Sequence, residues 1–97
     1  MRQVSKQVLT SFLKNQPMRC GNTWTDGTNV YLHNNKIIRR MNNAIEISFC
    51  GWATNTTQER VNSLCELINN TRPFKIKKGE IYVNKVLVDS NSFLKIT

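Results

Sequence analysis

Thr28-Asn29-Val30-Tyr31-Leu32-His33-Asn34-Asn35-Lys36-Ile37-Ile38-Arg39-Arg40-Met41-Asn42-Asn43-Ala44-Ile45-Glu46-Ile47-Ser48-Phe49 is the stretch whose reading decides the fold. Two Asn-Asn pairs interrupt short β-prone runs, and asparagine tolerates the positive φ that two-residue hairpin turns demand. The stretch therefore reads as a three-stranded antiparallel meander over about residues 28–49. A loop at Asn34-Asn35 pairs Leu32 with Ile37, Tyr31 with Ile38 and Val30 with Arg39. A loop at Asn42-Asn43 pairs Arg40 with Ile45, Arg39 with Glu46 and Ile38 with Ile47. Because side chains alternate along a strand, Tyr31, Ile38, Ile45, Ile47 and Phe49 form the core face. Val30, Leu32 and Ile37 fall on the other face beside an Arg39–Glu46 pair. A bare apolar patch is uncommon on a monomer, so a helix is expected to cover them.

That helix precedes the meander. Val4, Val8, Leu9, Phe12 and Leu13 mark one broad face of a helix from about Gln3 to Lys14, with Ser5, Lys6, Gln7 and Ser11 outward and Pro17 forbidding continuation. Met18 to Thr25 reads as an irregular or edge strand ended by the turn dipeptide Asp26-Gly27. After the meander, Thr56-Thr57-Gln58-Glu59 has the form of a capping box, Thr56 accepting the Glu59 amide and Glu59 reaching back. Val61, Leu64, Cys65 and Ile68 then form an amphipathic stripe on a helix over about 57–69, closed by Asn69-Asn70 and Pro73. Cys65 on that stripe is a buried structural thiol.

A second meander over about 74–88 follows, with turns at Lys78-Gly79 and Asn84-Lys85. Phe74, Ile76, Ile81, Val83, Val86 and Val88 share one face; Lys75, Lys77, Glu80, Tyr82, Leu87 and Asp89 share the other. Ser90 to Thr97 is open between a docked strand and a loose tail. The class is α+β, one domain over residues 1–97.

Fourteen Lys and Arg oppose six Asp and Glu, for a formal charge of +8. Such a field attracts nucleic acid, DNA or RNA, or an acidic protein surface. Three unpatterned cysteines suggest neither a disulfide framework nor a zinc site, and no cofactor or metal is expected. No signal peptide or membrane-spanning run is present, which points to the cytoplasm. No Ser-His-Asp set, acidic dyad or phosphate loop appears, so catalysis is not expected.

The order of several short blocks carries a resemblance. Gly21-Asn22-Thr23, Tyr31-Leu32-His33-Asn34-Asn35, Gly51-Trp52, Thr56-Thr57-Gln58-Glu59-Arg60 and Lys78-Gly79-Glu80-Ile81-Tyr82 resemble a group of small bacteriophage proteins. One asparagine of the second block stands where that pattern has glycine. The resemblance implies a phage product in a bacterial host, acting on nucleic acid, transcription or defence machinery, and identifies no catalytic residue.

Three functions follow. A non-catalytic nucleic-acid-binding accessory protein would use the outer face of the second meander, where Lys75, Lys77, Lys78 and Lys85 surround Tyr82: bases stack on an aromatic while cations track phosphates. Lys36, Arg39 and Arg40 add a second basic patch, and Trp24 beside Asp26-Gly27 is a candidate contact for a partner. An inhibitor docking its basic face on an acidic host protein is the alternative. A small ribonuclease would have His33 as base, with Lys36, Arg40 or Tyr31 stabilising charge. Trp52 is expected as a packing wedge between sheet and helix.

Overall fold

The computed structural model describes all residues 1–97. Helix α1 (Gln3–Leu13) is followed by strands β1 (Met18–Cys20), β2 (Thr23–Thr25), β3 (Asn29–Leu32), β4 (Asn35–Met41) and β5 (Ala44–Ile47). Helix α2 (Asn55–Asn69) leads into β6 (Phe74–Lys77), β7 (Glu80–Val83) and β8 (Val86–Val88), and β9 (Leu94–Lys95) ends the chain. All strand pairings are antiparallel, in a six-stranded sheet ordered β1-β2-β3-β4-β5-β9 and a three-stranded sheet ordered β6-β7-β8. The fold is α+β with an N-terminal helix and a β-meander, as expected.

Three features of the large sheet depart from the sequence reading. First, Met18 to Thr25 is a hairpin turned at Gly21-Asn22, not one strand, with Arg19 opposite Trp24. Second, the β3–β4 turn lies at His33-Asn34, both at positive φ, one residue earlier than expected. A one-residue slip moves a strand's side chains to the opposite face. Val30 and Leu32 thereby enter the core while Tyr31, expected there, faces out opposite Lys36. Third, a β-bulge absorbs the slip: Tyr31 pairs with Lys36 but Val30 pairs with Ile38, leaving Ile37 as the extra residue. Ile38 still pairs with Ile47, so both Ile37 and Ile38 are buried. The register exposes one half-polar aromatic and encloses two aliphatic side chains, each worth about 1.5–3 kcal/mol when fully buried.

Helix α1 lies over β1, β2 and β3 and beside α2, burying Val8, Leu9 and Phe12 in the same core as Val30. Ser5, expected outside, is buried, because α1 packs against α2 through a polar contact there. The α2 N-cap is Thr54, whose side chain accepts the Thr57 amide at 3.2 Å; the expected Thr56 cap is displaced by two residues. Glu59 is consequently released from capping and accepts hydrogen bonds from Ser5, Ser63 and the Arg2 amide. Val61, Leu64 and Cys65 are buried as the stripe predicted, and Asn70 closes the helix in the left-handed conformation at φ 61°.

The small sheet is held to α2 by Asn62, which is buried. Its amide donates to the Phe74 carbonyl at 2.9 Å and its carbonyl oxygen accepts the Phe74 amide at 2.8 Å, so one side chain replaces a neighbouring strand at the start of β6. Phe49 and Phe74, 5.8 Å between ring centroids, join the two sheets. The C-terminal residues dock: β9 extends β5, with Leu94 opposite Ile47 and Lys95 opposite Glu46.

Candidate nucleic-acid interface

The second meander follows its sequence reading strand for strand. Lys78-Gly79 and Asn84-Lys85 are two-residue turns with both residues at positive φ, the geometry that matches the twist of the flanking strands. Lys77 is thereby set opposite Glu80, Lys75 opposite Tyr82, and Tyr82 opposite Leu87. Phe74 and Ile81 are buried on the inner face, which fixes the outer one. Lys75, Lys77, Lys78, Glu80, Tyr82 and Lys85 line one shallow concavity of about 490 Å³, so four cations share it with one carboxylate.

The chain's three ion pairs, Arg39–Glu46, Arg60–Glu59 and Arg72–Glu66, leave these four lysines without a carboxylate partner. The Tyr82 hydroxyl donates to Glu80 Oε2 at 3.3 Å. The neighbouring Glu80 charge, together with this bond, holds the phenol above its ordinary value, so Tyr82 is neutral across the physiological range. Chemically the face offers cations without an ion-pair partner around a half-exposed, uncharged ring.

The other expected basic residues lie on the six-stranded sheet, and the two arginines among them are engaged within the molecule. Arg40 donates to the Gly27 carbonyl at 2.8 Å and the Phe12 carbonyl at 3.0 Å, with its guanidinium 4.4 Å from the Phe12 ring centre. It ties the end of α1 to the β2–β3 turn. Arg39 pairs with Glu46 at 2.6 Å and lies 3.8 Å from the centre of the Phe93 ring. Lys36 is exposed.

Trp24 is half-buried, stacked on Tyr31 at 4.1 Å between centroids and 12° between planes, with the Arg19 guanidinium 5.4 Å from its ring. Arg19, Trp24, Tyr31 and Lys36 thus form a rung across β1 to β4 on the outward face. Sequence reasoning missed Arg19, and the signal was available: a turn at Gly21-Asn22 puts Arg19 across from Trp24. The buried Trp24 Nε1 has no hydrogen-bond partner.

Trp52 is 63% exposed rather than wedged between sheet and helix. It forms one wall of a second cleft of about 320 Å³, between the β3–β4 turn and the start of α2, with Leu32, His33, Ile37 and Phe49. His33, in the turn at φ 51°, is exposed, with Nε2 3.5 Å from the Asn22 side-chain amide. Of the groups named to assist it, Arg40 is directed to the end of α1 and Tyr31 is stacked on Trp24. Cys65 is enclosed, and burial pushes its thiol up to about 11, only partly offset by the Arg72 charge. No group of three or more His, Cys, Asp or Glu side chains is gathered to hold a metal ion.

A small α+β protein with an exposed lysine–tyrosine sheet face is the class that this fold and geometry define. The family model described as Kyanoviridae Gp96 protein matches residues 1–96, and the chain belongs to this bacteriophage family. No curated protein and no solved structure matches the chain. No helix is long and apolar enough to cross a membrane.

Proposed function

We propose that the protein is a non-catalytic accessory factor that binds single-stranded nucleic acid on the outer face of β6–β8 in the phage-infected host cell. The observation that supports this reading most is the convergence of Lys75, Lys77, Lys78 and Lys85 on Tyr82 with no carboxylate paired to any of them. A ring among uncommitted ammonium groups suits a strand whose bases stack while its phosphates are neutralised. The face contains no hydrogen-bonding frame that would distinguish one base from another, so binding is expected to be broad in sequence. A role in host transcription or defence would follow from occupying single strands exposed there.

Fluorescence anisotropy with a labelled homopolymeric DNA or RNA oligonucleotide tests this. Four neutralised phosphates on a single strand give a slope of about −3 in log affinity against log salt. Charge reversal of Lys75, Lys77 and Lys78 is expected to abolish binding at physiological salt, and Tyr82→Ala to weaken it by about 5- to 150-fold, the loss of one stacked base. Full affinity in the charge-reversed protein would remove the site. No binding by the wild type at low salt, combined with recovery of one stoichiometric acidic protein from nuclease-treated host lysate, would favour the inhibitor reading.

A further inference from the structure

Strand β8 is a free edge of the three-stranded sheet, and it is apolar: Val86 is 63% and Leu87 57% exposed. Exposed edges are ordinarily blunted by shortness, or by a charge or proline inside the strand; β8 is three residues long, but Val86-Leu87-Val88 carries neither charge nor proline. Its charges stand at its two ends instead, Lys85 before it and Asp89 after it, and neither is in an ion pair within the chain.

The spacing of these residues is self-complementary. In an antiparallel pairing of β8 with β8 of a second copy, centred on Leu87, Leu87 meets Leu87, Val86 meets Val88, and each Lys85 meets the other copy's Asp89. The backbone agrees with this register. A two-residue loop is closed by a hydrogen-bonded pair, here Val83 with Val86, and hydrogen-bonded and non-hydrogen-bonded pairs alternate along the ladder. Leu87, opposite Tyr82, is then a non-hydrogen-bonded position toward β7, so its amide and carbonyl point to the free edge. Two such residues related by a two-fold axis exchange both hydrogen bonds, as an isologous contact requires.

We infer that β8 is a homodimerisation edge, joining two copies into a continuous six-stranded sheet through Leu87, with reciprocal Lys85–Asp89 pairs at its ends. The two-fold axis is perpendicular to the sheet, so both Tyr82 rings lie on one face. Three strand spacings separate them, roughly 14 Å, which would make one longer track of two concavities in which Lys75, Lys77 and Lys78 of each copy stay unpaired while Lys85 is taken up by the other copy's Asp89. A three-residue strand buries little surface, so the association is weak and concentration-dependent.

Sedimentation velocity without nucleic acid tests the inference independently of the binding reading. Over a range on the order of 10 μM to 1 mM, where weak contacts of this kind are read, the wild type is expected to shift from monomer to dimer. Lys85→Asp and Asp89→Lys, each alone, put like charges opposite one another and are expected to remain monomeric. Mixed in equal amounts they regain opposite charges at both ends and are expected to form a heterodimer. Circular dichroism confirms that each variant is folded, and Leu87→Lys provides a further monomer through the centre of the contact. A wild type that stays monomeric throughout would overturn the inference, as would single variants that dimerise as the wild type does.

Discussion

Replacing Arg60 by alanine removes the centre of a buried polar contact between α1, α2 and β2. Arg60 is 3% exposed; its Nε donates to Thr23 Oγ1 at 2.9 Å, and its Nη1 donates to Ser5 Oγ at 3.1 Å and to Glu59. Removing one member of a buried ion pair costs about 3–5 kcal/mol, because the remaining charge keeps its desolvation penalty without its partner. Glu59 here is only partly enclosed and keeps the Ser5, Ser63 and Arg2 donors, so the lower end, about 3 kcal/mol, applies. For a chain of this size that lowers Tm by about 12–24 °C, and it moves the urea midpoint by roughly 1–3 M at constant m.

Tryptophan fluorescence during urea unfolding measures it, since Trp24 and Trp52 lie in different parts of the fold. Acidification supplies a second readout. Burial raises the Glu59 pKa, but the hydrogen bonds from Ser5, Ser63, Arg60 and the Arg2 amide outweigh it and hold the carboxyl below its ordinary value of 4.5. Its stabilisation is therefore present above about pH 4.5 and lost as pH falls through the lowered folded value. Arg60→Ala withdraws one of those bonds, so the variant should lose less stability on acidification than the wild type. A loss under about 0.5 kcal/mol at neutral pH, the range of an ordinary surface substitution, would refute the reasoning.

Asn62→Ala leaves the Phe74 amide without its side-chain partner and deprives the Phe74 carbonyl of one of two donors. It should cost about 1–3 kcal/mol and raise hydrogen exchange at the start of β6 before the six-stranded sheet responds. Cys65, with its thiol pushed up to about 11 and enclosed in the core, should resist iodoacetamide at pH 8 until the protein is unfolded, while half-exposed Cys20 and Cys50 react first; peptide mass spectrometry reads the order.

What the sequence made legible was local. The β6–β8 face could be read because both turns are two residues long and alternation between them is unbroken, so one choice of register satisfied every strand. The α2 stripe was equally clear from its helical period. The β3–β4 turn was ambiguous between two adjacent pairs, His33-Asn34 and Asn34-Asn35. Only a tertiary quantity decides between them: how many apolar side chains α1 can cover once a bulge at Ile37 is allowed. Glu59 shows the same limit. Its spacing from Thr56 satisfies a capping pattern, but two of the partners that win, Ser5 and the Arg2 amide, lie on the other helix and at its N-terminal edge. A charge such as Arg60 reads as surface in any one-dimensional pattern, because its burial is permitted only by acceptors brought together from three separate elements.

The positive charge is divided between the two cationic residue types in a way that the total of +8 conceals. Of six arginines, Arg39, Arg60 and Arg72 pair with carboxylates, Arg40 is bound to two carbonyls, and Arg19 lies over Trp24. A planar guanidinium with five fixed donors suits such internal fastening, whereas an ammonium on a flexible stem remains hydrated and available. None of the eight lysines is in an ion pair, so the outward field is carried by lysine. Half of those lysines, Lys75, Lys77, Lys78 and Lys85, border the single concavity around Tyr82. The six-stranded sheet uses much of its charge to hold the fold together, and the three-stranded sheet leaves its lysines free. Charge reversal at Lys36 should therefore change oligonucleotide affinity far less than the same change at Lys75 or Lys77, although all three add the same charge to the long-range field. An equal loss at all three positions would mean that the net charge acts alone and that the Tyr82 face has no special part in binding.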